Sequence, residues 1–541
     1  MGWLGRSALV FATVPLLASC ASVPPGASPA QVPRPGGVEM SPSGGTLSGR
    51  IPDGCEVDPA APKRQLRGAW IATVRNIDWP STTGLSAKEQ QDELRAQLDR
   101  ARDLGLNAVF FHVRPTADAL YASEKEPWAR YLTGRQGGDP GYDPLEFATA
   151  EAHARGLELH AWFNPYRVGW KDPDLKGLVA DHPARENPDW LIEYADQGWF
   201  DPGNPEVQQW VSDVVLDVVE RYDVDGVHFD DYFYPYPVDG QRFDDDESWR
   251  KYGGGFDDRG DWRRDNVNTL IADIHGRIQQ TKPWVRFGVS PFGIWRNRAT
   301  DPTGSDTDGL QSYDAQHADT RAWIQAGTVD YVIPQLYWYR GFEIADYERL
   351  VPWWAGEVAG TEVDLYIGQA AYKVGDQGWK GEEALSRQLD FNTGHPEVGG
   401  DVYFSMKDLS GRARGAIEHV AATHYAHPAL PPVAGGDSHT APAPVTDLAA
   451  RRSGGEVRLS WTAPEDARAF AVYRVPGEGT DLCALADATH LVDVIGVQEG
   501  AQAQEYTDTA PLEGQARYYV TALDVYRSES LPGLGAPVNG G

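Results

Sequence analysis

The chain has 541 residues, 41% of them apolar, and a formal net charge of −31. That length predicts more than one folded domain, with unstructured ends. A surface this negative repels phosphate backbones, so no nucleic-acid partner is expected, and it disfavours a polybasic route to anionic lipid.

The N-terminus reads as an address. Arg6 precedes an apolar run, Ser7 to Ala18, that is too short to span a bilayer. The run ends in Leu17-Ala18-Ser19-Cys20, which resembles a bacterial lipobox. Residues 1–19 are therefore expected to be a signal and Cys20 the lipidated residue, with an ordinary secretory signal as the alternative. The expected location is the extracytoplasmic side of the cell envelope, with the membrane reached through the lipid anchor. Residues 20–62 are rich in Pro, Gly and Ser and predict a flexible tether. Cys55 and Cys483 have neither metal-ligand nor redox spacing. Two free thiols and one bridge both remain open.

From 63 to 427 short apolar runs alternate with amphipathic segments, the pattern of βα units around a parallel sheet. Candidate strands are Gly68–Val74, Ala108–Arg114, Glu158–Asn164, Gly226–Asp230, Arg286–Pro291, Tyr331–Leu336, Asp364–Ala370 and Asp401–Met406. Helices are predicted over Ser86–Leu104, Pro205–Tyr222 and Asp265–Gln280 from apolar residues at helical spacing. Eight such strands predict an α/β fold, a (β/α)8 TIM barrel. The alternative is an open doubly wound sheet, for which no Gly-rich phosphate turn is present. Long segments after the second to fifth strands are rich in Trp and Tyr, and in a barrel they build one face.

Residues 428–442 read as a linker. Residues 443–541 predict a small all-β unit, with strands over Val457–Trp461, Ala469–Val475, His490–Val494 and Ala516–Leu523. Trp461 and Tyr518-Tyr519 stand where an immunoglobulin-like, fibronectin type III sandwich has its core rings, which this segment resembles.

The candidate chemistry lies in Asp225-Gly226-Val227-His228-Phe229-Asp230-Asp231-Tyr232. Alternation along the strand sends Val227 and Phe229 toward the helices, and His228 and Asp230 toward the interior. Two adjacent acids beside aromatic residues fit glycosidic chemistry, which needs one protonated and one charged carboxyl. Close carboxyls supply that by pushing their pKa values apart. Asp230 and Asp231 are the catalytic candidates. His160, Trp162 and Asn164 alternate toward the same interior, and Gln335, Tyr337, Trp338 and Tyr232 complete the expected substrate-binding set with His228. Arg114, at a strand end, is expected to pair with Asp230 or Asp231, because a buried guanidinium needs a counter-charge. Asp244-Asp245-Asp246-Glu247 lacks calcium-loop spacing and predicts a solvated loop. No metal site and no cofactor are expected.

Arg67 to Val74 with Asp78-Trp79-Pro80-Ser81, His160 to Arg167, Asp225 to Pro235, and Pro334 to Trp338 resemble blocks of the glycosyl-hydrolase-like family 10 domain of bacterial lipoproteins and secreted proteins. The resemblance covers roughly residues 64 to 425. It implies a (β/α)8 barrel, glycosidase activity and peptidoglycan strands, an N-acetylamino-sugar polymer, as substrate. It carries over Asp230 and Asp231 as catalytic, with Asn164, Gln335, Tyr337 and Arg114 in the pocket. Partners beyond the glycan would be cell-wall or envelope proteins. Chitinase-like enzymes of glycoside hydrolase family 18 have a related fourth-strand motif ending in Asp-x-Glu, but Tyr232 stands where that Glu would be. Two alternatives are a glycan-binding surface lipoprotein on a silent barrel and a hydrolase of an external polysaccharide.

Overall fold

The computed structural model describes residues 55, 57, 58, 60–170, 177–435, 439–477, 481–498 and 500–539. The expected signal segment, Cys20 and most of the expected tether lie outside the described residues.

Eight parallel strands close into a barrel in sequential order. They are β1 (Leu66–Ile71), β2 (Ala108–Arg114), β3 (Glu158–Phe163), β4 (Gly226–Phe229), β5 (Arg286–Val289), β6 (Tyr331–Val332), β7 (Asp364–Gln369) and β8 (Val398–Tyr403). Closure through the β1–β8 pairing rules out the open doubly wound alternative. Alternation sorts the side chains into two layers. Ala69, Val109, Phe111, Leu159, Val227 and Phe229 join the core between strands and helices. Trp70, Phe110, Trp162, Tyr331 and Tyr366 fill the barrel interior. That interior is crowded enough to dictate glycine. A Cβ on Gly226 would lie 2.2 Å from the His160 ring, and one on Gly288 would lie 2.1 Å from Tyr331.

Strand ends depart from the sequence reading for local reasons. β6 stops before Pro334, which has no N–H to continue a ladder. Isolated bridges at Gln335 carry the alignment on to Phe292 and Gly368. β8 begins at Val398 because the Gly399-Gly400 backbone still pairs, Gly400 opposite Leu66. The predicted helices form over Ala87–Asp103, Pro205–Arg221 and Arg259–Thr281. Ser86 closes a capping box on the first, and Asn204 caps the second. The third starts earlier than its apolar pattern because Asp258 caps it at Arg259. Between β3 and β4 the chain adds a small antiparallel sheet, Arg167–Trp170, Gln197–Phe200 and Leu191–Tyr194, that the sequence reading did not contain.

The C-terminal region forms two antiparallel sheets. One holds Thr446–Ser453, Glu456–Thr462 and Gln504–Asp508. The other holds Leu491–Gly496, Ala469–Pro476, Ala516–Leu523 and Ala536–Val538. Val457, Leu459 and Trp461 of the first pack against Phe470, Tyr518 and Val520 of the second. This unit sits against the end of the barrel where the strands begin. Arg527 reaches Glu158 at the start of β3, with Nε 3.0 Å from Oε1, and also bonds Asp225 just before β4. Cys55 and Cys483 form a disulfide, which settles the question the sequence left open.

Candidate active site

Asp230 and Asp231 follow β4 at the barrel mouth, and only 6% and 4% of their surfaces are exposed. Asp230 is gripped on both oxygens. Oδ1 accepts from the Tyr232 backbone N–H at 3.0 Å, and Oδ2 accepts from the Trp162 indole at 3.2 Å. The Asn164 amide lies 3.3 and 3.2 Å from the two oxygens. These donors are themselves fixed. The Trp162 ring stacks on His112 at 3.7 Å between centroids. Asn164 Oδ1 accepts from the Arg167 backbone N–H at 3.1 Å. Asp231 accepts from the hydroxyl of Tyr236 and from the side chain of Gln335. Gln335 also donates to the Ser290 carbonyl at 2.9 Å.

Burial and the neighbouring carboxylate push Asp230 up to about 7. Burial likewise raises Asp231. The Arg167 guanidinium opposes both shifts. Arg167 is itself buried, over the Tyr232 ring at 4.7 Å and the Trp170 ring at 5.0 Å. Two adjacent carboxyls raised in this way resist being charged together, a strain that one proton between the donor-rich Asp230 and the Asp231 beside Tyr236 would relieve.

The structure brings Asp230, Asp231, Trp162, Asn164, Tyr232 and Gln335 together as the sequence reading grouped them. Tyr337 is near: burial, Tyr372 and then both acids raise its hydroxyl. Trp338 lies further round, edge-on to Phe292 at 5.5 Å. The two histidines sit deeper. His228 accepts from Trp70 at 3.2 Å and meets Ser290 at 3.1 Å. His160 meets Tyr331 at 2.9 Å and Glu158 at 3.2 Å. Both are satisfied interior residues below the mouth, which corrects their expected place in the substrate-binding set.

Arg114 needs a larger correction. Its guanidinium pairs with Glu126, at 2.7 Å through Nε and 2.5 Å through Nη2, and donates to the Asn164 and Pro165 carbonyls. The counter-charge required by burial comes from the loop after β2, not from the acids of β4. Arg114 thus braces the backbone of Asn164, and the cation near the acids is Arg167, which the sequence reading missed. Its signal was the Asn164-Pro165-Tyr166-Arg167 exit of β3, where a proline turns the chain back toward the mouth. One residue of the acidic run is corrected: Asp245 is buried and bonded by Arg263 at 2.7 Å to each oxygen, while Asp244, Asp246 and Glu247 are exposed as expected.

Other buried carboxyls are tied elsewhere. Asp78 accepts from Ala72 N, Ser405 Oγ and Lys407 N. Asp401 accepts from Gln369 and Asn392. A cavity of about 900 Å³ lies at the far end, lined by Asp223, Asp225, Arg468 and Arg527, and does not include the paired acids.

The Glycosyl hydrolase-like 10 family model matches residues 65–384, the segment that spans β1 to β7. The chain belongs to this family. It is 44% identical over 480 residues to the glycosyl hydrolase YngK of Bacillus subtilis, covering 86% of this chain and 92% of that protein. It is 42% identical over 422 residues to the glycosyl hydrolase DigH of Escherichia coli K12, covering 74% of this chain and 92% of that protein. Among solved structures, it aligns with the glycoside hydrolase domain of PgaB (BpsB) from Bordetella bronchiseptica at 13% identity and a TM-score of 0.44. That alignment covers 66% of this chain and 98% of that one. In this family member the matched region contains the whole of the site built above, from Trp162 to Trp338.

Proposed function

We propose that this protein is a glycoside hydrolase that cuts a bacterial cell-wall glycan, a peptidoglycan-type polymer of N-acetylamino sugars. One observation carries the reading: two adjacent buried carboxyls, both raised by burial, stand at the end of β4 beside half-buried rings. Asp230, raised to about 7, gives the proton to the glycosidic oxygen. Asp231, which accepts from the Tyr236 hydroxyl and the Gln335 side chain, stays charged. With Asp78, Glu126 and Asp401 engaged elsewhere, the substrate's own acetamido oxygen attacks the anomeric carbon, and Asp231 holds the acetamido N–H. Water then opens the ring intermediate while Asp230 takes its proton back.

The relatives YngK and DigH, both named glycosyl hydrolases, support hydrolase chemistry for the family. The Cys55–Cys483 bridge supports an oxidising, extracytoplasmic setting, in keeping with an anchor at Cys20. The two C-terminal sheets, with Trp461 against Phe470 at 5.2 Å, support a fibronectin type III-like module. Envelope proteins are the partners such a location would offer.

The test is release of reducing ends from purified peptidoglycan glycan strands. Wild type should release them, and Asp230→Asn and Asp231→Asn should each lose at least two orders of magnitude in rate, the low end of what general acid–base groups supply. Wild-type binding without release would leave a glycan-binding barrel instead.

A further inference from the structure

A row of rings leads away from the paired acids across the barrel mouth. Tyr236 holds Asp231 through its hydroxyl, and its ring meets Tyr232 at 5.5 Å. On its other side it meets Phe292, which follows β5, at 6.2 Å. Phe292 meets Trp338, which follows β6, at 5.5 Å. Tyr232, Tyr236, Phe292 and Trp338 are all half-buried, while their neighbours Phe233, Tyr234, Trp295 and Leu336 are buried in the core. The four come from three successive strand exits, so the row follows the rim; successive rings stand edge to face, at 64°, 75° and 83°, with Tyr232, Phe292 and Trp338 resting on the core below.

The backbone is shaped to hold this row. A Cβ on Gly293 would lie 2.7 Å from the Trp338 ring and 2.6 Å from the Gln335 carbonyl, so only glycine lets Trp338 settle against the β5 exit. Gln388 donates to the Trp338 carbonyl at 3.1 Å, and Lys373 donates to the Tyr337 carbonyl at 2.7 Å. The loop that presents Trp338 is thus fixed from behind by two side chains. Preformed, partly exposed rings stack on flat apolar faces at small entropic cost. The apolar faces of pyranose rings are such surfaces, and one pyranose cannot cover ring centres spaced this far apart.

We propose that Tyr236, Phe292 and Trp338 form a stacking track that carries a glycan chain from the acids of β4 to the exit of β6, so that the site selects polymer over short oligosaccharide. This rests on the glycan reading above. Tyr236 has a double place in it, since the same residue holds Asp231 and begins the track. Phe292 and Trp338 touch only the chain and act through binding.

The test uses the full chain with Phe292→Ala and Trp338→Ala, each checked by melting temperature, and Trp338→Phe as the conservative variant. The substrates are purified peptidoglycan glycan strands and the N-acetylglucosamine trimer. The expected result is a KM for strands raised roughly tenfold, equivalent to about 1.4 kcal/mol of binding. kcat should change less than KM, the polymer-to-trimer ratio of kcat/KM should fall, and Trp338→Phe should recover most of the loss. Binding of strands to the Asp230→Asn protein should weaken by the same factor when Trp338→Ala is added. Wild-type cleavage with an unchanged strand KM in both alanine variants would overturn the track. Absence of wild-type cleavage would overturn the hydrolase reading alone, and the binding measurement would then decide the track.

Discussion

Trp162 donates its indole N–H to Oδ2 of Asp230 across 3.2 Å, while its ring lies flat on His112. The bond favours the charged form of a carboxyl that burial and Asp231 push toward the neutral one. Trp162→Phe keeps the stacked ring and removes the donor. A hydrogen bond to a charged group is worth roughly 1.5–3 kcal/mol, and one pKa unit is about 1.4 kcal/mol. The Asp230 pKa should therefore rise by about one to two units. A proton donor works below its pKa, so the alkaline limb of the rate profile should move to higher pH in Trp162→Phe. An unmoved limb would separate this indole from the titration of Asp230.

The Arg114–Glu126 pair is fully buried, and it braces the carbonyl of Asn164. Removing one partner of such a pair strands a charge and costs roughly 3–5 kcal/mol, whereas replacing both with apolar groups is far milder. Arg114→Met should lower the melting temperature sharply, and adding Glu126→Leu should restore much of it. Were Arg114 instead the partner of Asp230, Glu126→Leu would add to the damage. Thermal melts of the two single variants and the double variant distinguish these cases.

The fold was largely legible because its information is periodic. Ala108–Arg114 and Ala516–Leu523 form strands over the ranges that apolar alternation marks. The site was legible where it follows the strand itself: His228 and Asp230 face inward because Val227 and Phe229 do not. What alternation cannot show is how deep along the barrel axis an inward residue lies, so it puts His160 and His228 with residues of the mouth. Nor can it show which loop returns a counter-charge. Glu126 reaches Arg114, and Arg167 comes to the acids, only through loop paths that carry no period. The polar edge strand Thr446–Ser453 was missed for the related reason that it has little apolar face to mark it.

Arg527 and Arg468 both join the C-terminal sheets to the barrel floor, yet burial separates them. Arg527 is buried between Glu158 and Asp225 and adopts a positive φ of 62°. Arg468 makes a two-pronged contact with Asp223 at 2.6 and 2.8 Å, but both side chains are more than two-fifths exposed. A solvated pair of that kind contributes roughly 0.2–1 kcal/mol. Arg527→Ala should therefore destabilise by several times as much as Arg468→Ala in denaturant unfolding. Equal effects would mean that the floor network does not depend on its buried member.

Asp401 offers a pH test that leaves the barrel mouth untouched. Burial lifts its carboxyl to about 7, although Gln369 and Asn392 donate to Oδ1 at 2.7 and 2.9 Å. The folded state thus holds this proton more tightly than the unfolded chain, where an Asp titrates near 4. Stability contributed by the neutral form is complete below about 4 and is lost as pH rises through about 7. Asp401→Asn keeps an acceptor for both amides and never ionises. Its melting temperature relative to wild type should climb between pH 5 and pH 8, by an amount equivalent to roughly 1–4 kcal/mol. A constant difference across that range would show that Asp401 is already charged in the folded protein, with its burial compensated by Arg67, a cation that acts on it.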